Sequence, residues 1–191
     1  MKRNRNWLAC VLTGICTALG AAPLSEGLLF HAPFGEGSRA AFAGGSPQPQ
    51  KELKTVPGRL GNGVQVEAEP LRFNNVANLE LRAGTVAFWV KPAWDGNAKQ
   101  DDWALFRAVH LNGAYTVHSK ALFFMTGATV PEKGFCWDYS TATDRVNRWK
   151  PGEWHHVAFT WDRDSGEKGI WVDGEPAARK RGKHFPTSIS G

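Results

Sequence analysis

The chain has 191 residues, 42% of them apolar and 12% aromatic, with a net charge of +5. That length allows one domain able to bury most of its unfolded surface. Lys2, Arg3 and Arg5 supply three of those charges, so about +2 remains on the rest, and no nucleic-acid partner is expected.

In chain order, the basic start is followed by the apolar run Trp7 to Ala22, and Ala18-Leu19-Gly20 offers the small residues a signal peptidase accepts. Residues 1–20 therefore read as a secretory signal peptide, with Ala22 an alternative cleavage point. An uncleaved anchor is the rival reading, but the run is shorter than the roughly 20 residues a spanning helix needs. No later stretch is apolar enough to span a bilayer. The expected product is exported, either periplasmic or extracellular, with residues 24–191 forming its domain. Cys10 and Cys16 would leave with the leader, so Cys136 stands alone and no disulfide is expected within the mature chain.

The remainder reads as a succession of short strands. Leu28, Phe30, Ala32 and Phe34 alternate with small or polar neighbours, then Gly44 to Pro57 reads as a surface connector. Val64 and Val66, Leu71 and Phe73, and the run Thr85 to Lys91 continue the period-two pattern. Further strands are expected at Trp103–Val109, Ala114–His118, Ala121–Thr126 and Gly134–Tyr139. Asn62-Gly63, Asp95-Gly96, Asn112-Gly113 and Asp173-Gly174 punctuate them as turns. No segment shows a three-turn amphipathic helix, and the fold class is all-β, a sandwich.

The late segment Gly152 to Gly174 is the most informative. Trp154 to Trp161 places His155, Val157, Phe159 and Trp161 on one face and Trp154, His156, Ala158 and Thr160 on the other. Ile170 and Val172 oppose Trp171, and Asp173-Gly174 supplies the positive φ angles of a narrow hairpin. Beyond it, Arg179-Lys180-Arg181-Gly182-Lys183-His184 concentrates the basic excess. It suits sulfated glycans, lipid head groups or nucleic acid through its field. The plainer reading, a charged strand edge that resists edge-to-edge pairing, is preferred because no aromatic residues interleave the charges.

Several stretches together resemble the laminin-G-like branch of the concanavalin A-like lectin/glucanase superfamily. They are Gly27 to Ser38, Gly58-Arg59-Leu60-Gly61-Asn62-Gly63-Val64, Gly84 to Pro92 with its Phe88-Trp89-Val90-Lys91-Pro92 ending, Trp154-His155-His156-Val157-Ala158, and Trp171-Val172-Asp173-Gly174. Their order spans nearly all of the mature chain. The resemblance implies a jelly-roll sandwich of two curved antiparallel sheets. It also implies a closing strand after the hairpin, absent before Gly191, which would leave the first strand with an unpaired edge and the chain poorly soluble.

The superfamily includes glycoside hydrolases, which need paired carboxylates across the sugar bond. Their alternating acidic string has no counterpart here. Glu67 and Glu69 have the spacing but run into Pro70, so no enzyme activity is expected and no catalytic residue is assigned. His155 and His156 point to opposite faces and cannot share one metal from this strand. Asp162 and Asp164 are candidate calcium ligands, as in some laminin-G-like loops, against the simpler reading of a turn that uses aspartate for its backbone geometry. Calcium is the one candidate cofactor. Of nine tryptophans, Trp89, Trp154, Trp161 and Trp171 fall within expected strands and most of them are expected in the core, whereas Trp94, Trp103, Trp137 and Trp149 stand beside polar residues. An exposed ring next to a carboxylate or amide is how a protein holds a sugar. Trp94, Asp95, Asn97, Trp137, Asp138 and Tyr139 are accordingly the candidate ligand-binding residues, against the plainer reading, favoured for any single ring, that it seals a sheet edge or packs under a loop. The leading expectation is a secreted, non-catalytic module that binds glycan. A structural or protein-interaction module of a larger surface protein is the second reading, and an atypical glycoside hydrolase the third.

Overall fold

A computed structural model describes residues 26–67, 70–74, 76–98, 104–108, 121–125 and 135–182. Among them the regular elements are almost all strands: β1 Phe30–His31, β2 Phe42–Ala43, β3 Thr55–Pro57, β4 Asn62–Val64, β5 Ala83–Val90, β6 Ala104–Ala108, β7 Ala121–Met125, β8 Phe135–Asp138, β9 His155–Asp162, β10 Glu167–Val172 and β11 Glu175–Arg181. A 3-10 turn at Tyr139–Ala142 and one helical turn, α1 at Thr143–Val146, are the exceptions.

The antiparallel order β11-β10-β9-β5 makes a four-stranded sheet. Its inner face carries Val86, Phe88 and Val90 from β5, Val157, Phe159 and Trp161 from β9, and Ile170 and Val172 from β10. These alternate with outward residues because strand side chains switch faces at each step. The opposing sheet, β6-β7-β8, packs against that face through Phe123, which is fully buried. Its ring stacks on Phe159 at 4.6 Å and on Trp161 at 5.9 Å. Gly84 leaves room for the Trp161 ring, since a Cβ there would meet it at 2.6 Å. The all-β sandwich expected from the strand pattern is what forms.

The three-stranded sheet departs from the expectation at one pair, because β6 and β7 run parallel. A parallel pair needs a crossover of about a dozen residues. The connecting residues 109–120 have that length but lie outside the described residues, as does the strand expected at Ala114–His118.

The N-terminal part forms two small ribbons, β1–β2 and β3–β4, so the expected connector Gly44 to Pro57 ends in a strand. The expected strand at Leu71–Phe73 is reduced to a single bridge between Phe73 and Pro49. Polar clasps hold these short pieces. Asn78, nearly buried, accepts from the Gly45 N–H at 2.8 Å and donates to the Ser46 and Asn74 carbonyls. Buried Ser38 donates to Glu52, and this holds that carboxyl below its usual range.

Candidate functional site

The loop after β5 carries Trp94, Asp95 and Asn97, and the structure docks it onto the segment 149–153. The Gly96 N–H donates to the Trp149 carbonyl at 2.9 Å, and the Gly152 N–H donates to the Pro92 carbonyl at 2.8 Å. Asp95 Oδ1 accepts from the Asn97 N–H at 2.9 Å, closing the turn, while Oδ2 takes Lys150 Nζ at 2.8 Å. The lysine contact first, and the Asn97 N–H second, hold the Asp95 carboxyl below its ordinary range. Trp94 stacks on Trp149 at 5.8 Å, and Trp149 stacks on His155 at 4.5 Å with planes 7° apart. Trp149, expected beside polar groups, is 1% exposed and belongs to the core.

Trp94, Asp95 and Asn97 are thus together, with Asn97 exposed. One face of Trp94 is covered and Asp95 is held by Lys150, so the loop is chiefly an anchor. Trp137 and Asp138 fall on β8 and Tyr139 opens the 3-10 turn. The side chains of all three lie outside the described residues.

At the β9–β10 turn, Asp162 Oδ1 accepts the N–H groups of Asp164 at 2.8 Å and Ser165 at 3.1 Å. These bonds, Ser165 first, lower the Asp162 carboxyl. Asp164 Oδ2 receives both Nε and Nη2 of Arg82, at 2.9 and 2.6 Å. One oxygen of each candidate calcium ligand is thus already engaged, Asp162 Oδ1 by two turn donors and Asp164 Oδ2 by Arg82. No cluster of three potential metal ligands exists among the described residues. Lys168 shares the inner-face parity of Ile170 and Val172, where burial, then Lys180, push its amine down to about 8.

The two histidines separate as strand geometry requires. His155 lies against Trp149 on the inner side, and His156 lies beside Trp89, with ring centroids 5.2 Å apart, on the outer side. Asp173 ties both to the hairpin, accepting the His156 N–H at 2.8 Å and meeting His155 Nδ1 at 2.9 Å. With φ of 53° at Asp173 and 84° at Gly174, the β10–β11 turn has the two positive angles read from the sequence.

The outer face of the four-stranded sheet was missed. Register pairs Trp89 with His156 and Ala87 with Ala158, and Ala158 with Trp171, while Trp154 extends the same parity on β9. Of the four strand tryptophans, most of which were expected in the core, only Trp161 is fully there. Trp89 is 42% exposed, and Trp154 and Trp171 are half-buried on this outer face. The parity opposite to Phe88, Val157 and Ile170 was the available signal. Each outer ring also carries a cation: Arg59 at 5.3 Å from Trp89, Lys91 at 5.2 Å from Trp154 and Arg179 at 5.1 Å from Trp171. The rings are therefore neither sealed nor bare.

A laminin-G family model, described as concanavalin A-like lectin/glucanases superfamily, matches residues 62–190. The chain belongs to that superfamily. No curated protein and no solved structure matches it.

In this laminin-G-like chain the matched span begins at β4 and takes in every strand of both larger sheets. The motif Gly84 to Pro92 builds β5 and the turn that leaves it, and the late motif builds β9 and β10. Of the hydrolase-like carboxylates, Glu67 is exposed and takes the Gln65 amide at 2.8 Å, while Glu69 lies outside the described residues. The basic run begins on β11, which is an edge strand, and Arg181 there pairs with Glu167 at 2.7 Å. No helix among the described residues is long and apolar enough to cross a membrane.

Proposed function

We propose that this laminin-G-like chain is an exported, non-catalytic recognition module that binds carbohydrate on the outer face of its four-stranded sheet. One observation carries the reading: Trp89, Trp154 and Trp171 share the solvent side of one sheet, where flat rings can meet the apolar C–H faces of sugars. The superfamily of lectins and glucanases supports a binding role. Non-catalytic character rests on the missing acidic string, with Glu67 exposed in the loop beyond β4. Export rests on the leader-like residues 1–20.

A glycan array with the full chain tests this. Trp89→Ala should weaken binding about tenfold, a loss of roughly 1.4 kcal/mol for one aromatic contact, while Trp94→Ala should leave it nearly unchanged. An array without signal would remove the carbohydrate reading and favour the protein-interaction alternative. That alternative draws on Leu60, 76% exposed at the tip of the β3–β4 hairpin and next in sequence to Arg59.

A further inference from the structure

The cations that meet the outer-face indoles differ from those held in ion pairs. Arg82, Lys150 and Arg181 each have a carboxylate partner, in Asp164, Asp95 and Glu167. Arg59, Lys91 and Arg179 have none among the described residues. Instead, each lies over an indole ring. A cation over an aromatic face is partly desolvated and held in place. Its free side is then presented to solvent with little ordering left to do.

Placement follows from the sheet. Strands lie ~4.8 Å apart and two residues along a strand span ~6.8 Å, so the three ring–cation pairs sit roughly 8–14 Å from one another. They come from three separate places in the chain: the β3–β4 hairpin for Arg59, the end of β5 for Lys91 and the edge strand β11 for Arg179. Of the described acidic residues along this sheet, Asp162 and Glu167 stand at the far end, one closing a turn and the other bound to Arg181, while Asp173, just beyond Trp171, is held by His155 and the His156 N–H. No described carboxylate pairs with Arg59, Lys91 or Arg179, so the tryptophan rows carry cations without ion-pair partners among the described residues over an area wider than one sugar.

We propose that the ligand of this face is a linear polyuronate, an acidic polysaccharide whose carboxylates are gripped by Arg59, Lys91 and Arg179. The proposal rests on the carbohydrate-binding reading given above. Uronate suits the geometry because its carboxylate is bonded directly to the sugar ring. The charge and the C–H face lie together, as cation and indole do here. A guanidinium fork also matches a carboxylate in plane. A repeating charge on the polymer meets cations repeated across the sheet, which a single small anion could not.

Titration of the full chain with polygalacturonate tests this, using its fully methyl-esterified form as the uncharged control and heparin as the sulfated one. Polygalacturonate should bind, and esterification should abolish most of that binding. Arg59→Gln and Arg179→Gln should each weaken it about tenfold, with a shallower salt dependence. Both positions are exposed, so circular dichroism should be unchanged. Equal binding of the ester would overturn the proposal while leaving carbohydrate recognition intact. Tighter binding of heparin, lost in the same variants, would overturn the choice of uronate. Absence of binding to any of the three, together with a silent array, would remove both readings.

Discussion

Replacing Trp149 with alanine is expected to cost about 3–5 kcal/mol of folding stability. The ring is 1% exposed and lies between Trp94 and His155 in a column of stacked rings. Truncation would open a cavity at the rim of the sandwich, under the loop that follows β5. It would also leave His155 without the ring that covers it, weakening its contact with Asp173. Since whole domains are stable by only about 5–15 kcal/mol, a loss of this size should lower the denaturant midpoint severely. Trp149→Phe, which keeps an aromatic face, should fall between the two. A Trp149→Ala loss below about 1 kcal/mol would show that the column is not part of the core.

Gly96→Ala should rival that loss, for a different reason. A Cβ at this position would lie 1.8 Å from the Val146 carbonyl oxygen and 2.8 Å from its carbon. Both atoms are backbone at the end of α1, so no side chain can swing aside. Relief requires the loop to lift away, breaking the Gly96 N–H bond to the Trp149 carbonyl and pulling Asp95 from Lys150. Overpacking in a fixed setting costs about 1–3 kcal/mol, and the lost bond adds roughly 1 kcal/mol. Urea unfolding of Gly96→Ala should show this loss, whereas Gly152→Ala, which meets no atom within 4 Å, should lose only what its φ of 83° exacts. Equal stability of Gly96→Ala and the parent would contradict the docked loop.

Most of the sheet was legible because alternation is a local property. Val157, Phe159 and Trp161 declare an inner face within one strand, and Asp173-Gly174 declares its turn without reference to the rest of the chain. The tryptophans were harder. Trp89 and Trp171 have the bulk of core residues, and only their parity against Phe88 and Ile170 shows that they face outward. Trp149 lies in no periodic run, and its burial depends on the loop carrying Trp94 folding back over it. Arg59 was invisible as a site residue, since it reaches Trp89 from a separate hairpin and nothing adjacent in sequence marks the meeting. The β6–β7 pairing is likewise a property of topology, not of either strand's residues.

The most direct test is a heteronuclear NMR titration of the labelled chain with oligogalacturonate, following the tryptophan indole N–H signals. Binding on the outer sheet face predicts shifts of Trp89, Trp154 and Trp171 that saturate together, with Trp149 and Trp161 unmoved. Shifts confined to Trp94 and the Asn97 backbone, with the outer-face indoles silent, would contradict it.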